Sequence, residues 1–317
     1  MVVPCYNEEA SIGKVVRDFR AVLPAATVYV YDNGSSDQTV ARALEAGAQV
    51  RRENLRGKGN VVRRIFADVD ADVYVLVDGD DTYEAAAVPR LIRLLLDGPY
   101  DMVTGSRVTD EQEAYRHGHR FGNALLSRIV ATIFGNRVTD MLSGYRILTR
   151  RFVKSFPAFS AGFEIETELT VHALDLRMPI EELPTAYTSR PEGSTSKLNT
   201  FADGFRILFT ILILVKEERP LPFFASIFLF LVLTSLGLAA PIVVEYMETG
   251  LVPRFPTAIL STGIMLLGFL SLACGLILDT VTRARREMRR MHYLGTPASP
   301  RRTESLELAA QRSSSGR

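Results

Sequence analysis

Two stretches, Phe223 to Val244 and Pro256 to Leu278, contain no charged residue. Each reaches the roughly 20 apolar residues that crossing a bilayer's hydrocarbon core takes. A surface helix of a soluble domain carries a charged face, so the pair predicts a transmembrane hairpin within 220–282. Lys216 and Arg219 precede the first span, and Arg283, Arg285, Arg286, Arg289 and Arg290 follow the second. The loop between them holds Glu245, Glu248 and Arg254. The positive-inside rule then makes this an integral membrane protein with the preceding 200 residues and both termini expected in the cytoplasm. The arginine cluster suits anionic lipid head groups; a stop signal for insertion is the competing reading. Phe201 to Val215 has too short an uncharged run to span and is expected to lie in the membrane surface, as part of an interfacial amphipathic helix over 200–219. The segment 283–317 is expected to be basic near the membrane and disordered after Leu294, where Ser, Pro and Arg dominate. Two spans pack poorly alone, which points to a homo-oligomer. No signal peptide is expected ahead of them.

The preceding 200 residues alternate short apolar runs with helical patterns. Strands are expected at Val2–Cys5, Thr27–Tyr31, Ala48–Val50, Asp72–Val77, Asp101–Thr104 and Glu181–Tyr187. Helices are expected at Glu8–Leu23, Ser36–Ala46, Lys58–Ala67, Ala85–Leu96, Gly122–Ile133 and Glu166–Leu176. Such alternation predicts an α/β fold with a mostly parallel sheet flanked by helices. The first strand starts almost at residue 1, and a few further residues are expected before it. The chain has 317 residues and a net charge of +1, so no global field favours nucleic acid. Its two cysteines, Cys5 and Cys274, give neither a disulfide framework nor a metal pattern.

Chemistry gathers at the carboxyl ends of the strands, where open α/β sheets bind ligands. Asp78-Gly79-Asp80-Asp81 follows the fourth strand. Three carboxylates around one glycine repel one another unless a cation sits among them. Oxygen ligands suit Mg²⁺ or Mn²⁺, with Mg²⁺ usually shared with substrate phosphates; an acidic turn capping the next helix is the alternative. Asp80 is the candidate metal ligand, and Asp78 a second ligand or a ribose contact. Asp32 and Asp37 follow the second strand as acceptors for a nucleobase or ribose, although Asp37 alone also reads as a helix cap. Gly57-Lys58-Gly59 opens a helix, where glycines allow close backbone approach and the helix dipole favours a diphosphate. Gly105-Ser106-Arg107 ends the fifth strand.

Taken in order, Pro4-Cys5-Tyr6-Asn7-Glu8, Asp32-Asn33-Gly34-Ser35 with Asp37 and Thr39, Gly57-Lys58-Gly59, Asp78-Gly79-Asp80, Gly105-Ser106-Arg107 and Asp140-Met141-Leu142-Ser143-Gly144-Tyr145-Arg146 resemble the family 2 glycosyltransferases of GT-A fold. The nearest likeness is to the polyprenyl-phosphate sugar synthases, the dolichyl-phosphate mannosyltransferase-like group. The resemblance covers Val2 to about Lys197 and the membrane hairpin. It departs at Asn33, where such enzymes have a second Asp.

The resemblance implies a nucleotide-sugar donor, a divalent metal (Mg²⁺ or Mn²⁺) and inversion at the anomeric carbon. It implies a nucleotide-sugar-binding half over 1–107, with Pro4, Tyr6, Glu8, Asp32, Asp37, Lys58, Asp78 and Arg107 as contacts, and an acceptor-binding half over 108–199. Asp140 is the family's position for a general base. A lipid phosphate arrives mostly ionised, its second pKa being about 6, and Asp140 would then orient groups instead. A polyprenyl phosphate acceptor calls for cations. Arg120 is the candidate for its phosphate, with Ser143, Arg146, Arg190, Ser196 and Lys197 as further contacts, though the Arg116–Arg120 stretch also reads as a solvated basic loop. One acidic residue of Gly162–Glu168 is expected to face the site.

Overall fold

The computed structural model describes residues 1–108, 138–189 and 216–298, together with Phe209 and Ile213. The chain divides into two compact units, Met1–Ile207 with Arg289–Arg317, and Leu208–Met288.

In the first unit the order is β1 (Val2–Cys5), α1 (Ile12–Val22), β2 (Tyr29–Asp32), α2 (Thr39–Glu45), β3 (Gln49–Arg52), α3 (Lys58–Asp68) and β4 (Val73–Leu76). A 3₁₀ turn, Ala85–Ala87, leads into α4 (Val88–Asp97). Then come β5 (Met102–Val108), β6 (Arg146–Thr149), α5 (Arg150–Ser155), α6 (Ile165–Asp175) and β7 (Ile180–Ala186). The seven strands lie in the order β3-β2-β1-β4-β6-β5-β7. All pairings are parallel except those of β6, which runs antiparallel to both β4 and β5.

The strands read as continuous apolar runs because both faces of the sheet are covered. Along β1 and β4, Val3 and Val75, with Val77 just after β4, enter one core with Ile12, Val16 and Phe19 of α1 and Leu91 of α4. Val2, Tyr74 and Leu76 enter the other with Val62 and Ile65 of α3, Phe152 of α5 and Leu169 of α6. The two-residue period of a strand divides its side chains between the two layers. The chain winds outward through β1, β2 and β3, then returns to lay β4 beside β1. This reversal makes the crevice beyond their carboxyl ends the expected ligand position.

The antiparallel β6 and the short α5 are absent from the sequence expectation. Arg146-Ile147-Leu148-Thr149 is only four residues long and begins with a charged residue. Its reversed direction has a consequence, because Arg146 pairs with Leu76 at the carboxyl end of β4. The Asp140–Tyr145 loop is thereby delivered to the same sheet edge as Asp78. Gly105 to Arg107 lies inside β5, which continues to Val108, and does not end that strand. The expected helix Gly122–Ile133 lies outside the described residues, as does the expected surface helix apart from Phe209 and Ile213.

The second unit contains α7 (Pro220–Thr249) and most of α8 (Phe255–Gly295). Both are long and apolar enough to cross a membrane. Gly268 of α8 faces Phe228 and Leu231 of α7, and Gly275 faces Phe224. Ser235 Oγ donates to Ser261 O at 2.7 Å, and Ser271 Oγ donates to Phe224 O at 3.1 Å. Small residues and hydroxyls at the seam are how helices associate where lipid removes the hydrophobic drive. Phe230, Leu233, Leu266 and Leu270 are exposed on this unit, as lipid-facing residues would be. Gly250 ends α7 in the left-handed conformation (φ 66°). The helix of the second span continues through the arginine cluster to Gly295.

Candidate active site

Beyond β4 the three carboxylates separate. Asp81 turns away in a left-handed conformation (φ 59°) and pairs with Lys14 of α1 at 2.9 Å. Asp80 is 4% exposed, and its Oδ1 accepts from Thr82 Oγ1 at 2.7 Å. Asp78 Oδ1 lies 2.5 Å from Lys58 Nζ, and a Cβ on Gly144 would collide with the Asp78 carboxylate. Gly144 is therefore glycine because the Asp140–Tyr145 loop passes against Asp78. Among the described residues no three His, Cys, Asp or Glu side chains converge as a metal cage. One or two Asp carboxylates fit a hard cation that takes its remaining ligands from water and substrate phosphates.

Lys58 sits between Asp78 and Glu166, whose Oε1 is also 2.5 Å from Nζ. Its side chain is 8% exposed. Burial works against the charge of Lys58, but the two carboxylates outweigh it and hold the ammonium well above its ordinary pKa. Burial likewise pushes the Glu166 carboxyl up, with Lys58 opposing. Glu166 is thus the acidic residue of its run that faces the site, while Glu168 accepts from Phe159 N and Ser160 N, both at 2.8 Å. The glycines beside Lys58 serve a different purpose from the one expected. A Cβ at Gly57 or Gly59 would strike the carbonyl of Ala161 or Ser160. Gly59 N already donates to Ala161 O at 3.0 Å. Close approach here is to the 160–162 backbone, and that amide of the α3 N-terminus is occupied by it.

On β5, Arg107 grips Asp140 with both arms of its guanidinium: Nε to Oδ2 and Nη2 to Oδ1, each 2.7 Å, with Arg107 N adding a bond of 3.1 Å. Asp140 is 5% exposed. Burial alone would raise its pKa; the hydrogen bonds and charge of Arg107, with Arg146 behind, hold it below the usual carboxylate range. Arg107 also lies over the Tyr187 ring at 5.5 Å, and Tyr187 meets Tyr83 at 5.3 Å. The Tyr83 hydroxyl accepts from Gly144 N at 2.8 Å. A continuous set of contacts thus joins the Asp78 and Asp140 clusters.

Two expected acceptor contacts are corrected here. Arg146 is fully buried. Its Nε donates to Ser143 O, its Nη1 to Thr170 Oγ1, and its Nη2 to Met141 O and Glu166 O, at 2.8–3.0 Å. Ser143 is also fully buried, its Oγ donating to Gly105 O at 2.6 Å and accepting from Tyr145 N. Both side chains are enclosed by the protein and shape the loop that carries Asp140. Arg120, Arg190, Ser196 and Lys197 lie outside the described residues.

The loops after β1 and β2 are knitted together. Glu8 N donates to Thr39 Oγ1 and Asn7 N to Ser35 Oγ, while Asn7 Oδ1 accepts from Ser36 N. Asp37 accepts from Thr39 N at 3.0 Å, from Thr39 Oγ1 at 2.5 Å and from Glu9 N at 3.2 Å. Its carboxylate ties these loops and takes the first amide of α2, the helix-cap role also expected of it, while remaining partly exposed. Asp32, 1% exposed, accepts from Gly34 N and Ser35 N at 3.1 Å. Pro4 is buried within β1, whereas Tyr6 stands 37% exposed with Arg56 over its ring at 4.5 Å.

Asn33 explains its own departure from the resembled pattern. Its Nδ2 donates to Glu53 O (2.9 Å) and Leu55 O (2.8 Å), and its Oδ1 accepts from Gly57 N (2.7 Å). A carboxylate has no proton for the two carbonyls. Asn33→Asp is expected to destabilise the protein by roughly 2–3 kcal/mol, read as an earlier urea midpoint by circular dichroism in detergent. An unchanged midpoint would show that the loop repacks.

The assembly of a metal-suited carboxylate edge, a buried lysine and an Arg-held aspartate on a switch-point sheet can be set beside known proteins. The model of Glycosyl transferase family 2 matches residues 1–155. Glycosyltransferase AglJ of Haloferax volcanii is 34% identical over 297 residues, covering 93% of this chain and 97% of AglJ. A dolichyl-phosphate hexose transferase of the same organism is 31% identical over 219 residues, covering 69% of this chain and 94% of that protein. Glucosyl-3-phosphoglycerate synthase of Mycobacterium tuberculosis, solved with Mn²⁺, uridine diphosphate and glucosyl-3-phosphoglycerate, superposes with a TM-score of 0.55 at 25% identity. That match covers 67% of this chain and 77% of the synthase. Fold and site define a glycosyltransferase of GT-A architecture. The chain belongs to glycosyl transferase family 2.

Proposed function

We propose that this enzyme moves a hexose from a UDP- or GDP-linked sugar to a polyprenyl phosphate at the cytoplasmic face of a membrane, with inversion at the anomeric carbon. The observation that carries the acceptor assignment is the bidentate Arg107 grip on Asp140. A carboxylate so neutralised, with its pKa held low, is a poor general base. An acceptor hydroxyl needs such a base; a phosphate monoester arrives ionised. The dolichyl-phosphate hexose transferase likeness and the two apolar helices support the same reading.

In this scheme an acceptor phosphate oxygen bonds to the anomeric carbon as the bond to the nucleoside diphosphate breaks on the opposite face. A divalent cation held by Asp80, with Asp78 beside it, would supply positive charge for the leaving diphosphate. Lys58 keeps Asp78 in place and offsets local negative charge. Asp140 and Arg107 orient the acceptor side, with Arg120, Arg190, Ser196 and Lys197 assigned to the two phosphate groups. The positive flanks of the hairpin support a cytoplasmic placement of both termini.

The test is a panel of radiolabelled nucleotide sugars with undecaprenyl phosphate and membranes containing the protein. One donor is expected to label the lipid phase. The acceptor kcat/KM should rise with pH through about 6, as the substrate phosphate loses its second proton, and stay flat above 7. Label only in water-soluble or hydroxyl-linked product, with no limb near 6, would overturn the lipid-phosphate assignment.

A further inference from the structure

We infer that Glu182 is a positioning residue for Asp140, acting through the backbone of the loop and not on the substrate. The inference rests on Asp140 as the acceptor-orienting group. β7 is the edge strand of the sheet, with Glu182 opposite Thr104 of β5. The Glu182 carboxylate reaches to where the chain enters the Asp140 loop. Its Oε1 accepts from Thr139 N at 3.1 Å and from Asp140 N at 3.4 Å. Its Oε2 accepts from Thr139 N at 3.0 Å and, in a short bond, from the Thr139 hydroxyl.

Two successive amides outside any strand find their acceptor in this one side chain. A carboxylate has the lone pairs to take both and a hydroxyl besides. Asp140 is therefore held from two neighbouring strands: its carboxylate by Arg107 of β5, its backbone by Glu182 of β7. Arg107 pairs with Thr185, three residues beyond Glu182, so the two grips are spaced along one parallel ladder. Edge strands carry charge to deter pairing with other chains. Glu181 meets that need from the surface, where it accepts from the Tyr100 hydroxyl at 2.9 Å. The Glu182 carboxylate is spent instead on the residue next to the chemistry.

The test uses full-length protein in detergent, undecaprenyl phosphate as acceptor, and the nucleotide sugar that labels it. Glu182→Ala is expected to lower acceptor kcat/KM about 10- to 100-fold, the scale of a misplaced reacting group, while donor KM stays within about twofold. Glu182→Gln should recover most of the loss, because an amide oxygen still accepts from the loop. Glu182→Ala in an Asp140→Asn background should add nothing further. Amide exchange at Thr139 and Asp140 should quicken in Glu182→Ala whether or not a donor is in hand. Asp140→Asn at the wild-type rate would sink the reading of Asp140 itself. A slow Asp140→Asn beside a wild-type Glu182→Ala would overturn the Glu182 inference alone. So would losses that multiply in the double variant, or a donor KM that rises with the acceptor KM. If Glu182→Ala does not fold, Thr139→Val removes one donor only and should give a smaller acceptor-specific loss.

Discussion

Asp80→Ala is expected to abolish sugar transfer, with a loss of about a thousandfold or more, the scale of several kcal/mol of charge stabilisation from a metal ion. Asp80 is 4% exposed, lies at the switch-point edge, and sends one carboxylate oxygen to Thr82. That bond is structural, so alanine alone confounds charge with turn geometry. Asp80→Asn separates them, because the amide oxygen still accepts from Thr82 while the charge is gone. Both variants should lose transfer and weaken Mn²⁺ binding in the presence of the nucleoside diphosphate, measured by calorimetry. Only the alanine should lower the thermal midpoint. Asp78→Asn should cost less in metal binding, since one Asp78 oxygen already serves Lys58 at 2.5 Å. Transfer that survives Asp80→Asn with its Mg²⁺ dependence unchanged would show that the metal is held elsewhere.

Legibility in the sequence differs between the two kinds of information. Apolar runs such as Val73–Leu76 announced strands buried on both faces, and the uncharged stretches announced α7 and α8. Local patterns of this sort need no knowledge of what lies opposite. β6 was hidden because Arg146–Thr149 is short, begins with a charged residue and gains its identity only by pairing with β4 and β5. The same limit applies to the site. Asp78 and Lys58 could be placed at one edge from chain order, and Asp140 only through the family resemblance. Their pairings could not: an acidic residue of 162–168 was expected near the site, but not that Glu166 would hold Lys58 from 108 positions away, nor that Glu182, 42 positions from Asp140, would hold its backbone. Asn33 shows the converse, for a residue that looked like a weakened Asp is required as a double donor. Ser143 and Arg146 misled because a polar residue beside a ligand edge and one that builds that edge carry the same letters. Only burial and partners tell them apart.

Arg146→Met tests the sharpest case of that distinction. The guanidinium is fully buried and supplies protons to Ser143 O, Met141 O, Glu166 O and Thr170 Oγ1, all within 3.0 Å. Nη1 also lies 3.2 Å from Met102 Sδ. Three of these acceptors are backbone carbonyls of the Asp140–Tyr145 loop and of α6. Methionine roughly fills the stem's volume but satisfies none of them, and each orphaned buried carbonyl costs about 1–3 kcal/mol. The carboxylates of Glu166 and Asp140, which bear electrostatically on Arg146, would lose its positive charge too. A loss of roughly 3–5 kcal/mol is expected, the range for breaking a buried charged network, which is a large part of the total stability of a typical domain. Arg146→Lys should recover little, since one ammonium cannot reach the positions of a planar five-donor fork. Because the same guanidinium braces both the Asp140 loop and the helix bearing Glu166, what folded protein remains should show weakened donor and acceptor parameters together. A phosphate-binding arginine would behave differently, with the urea midpoint intact and only the acceptor KM raised.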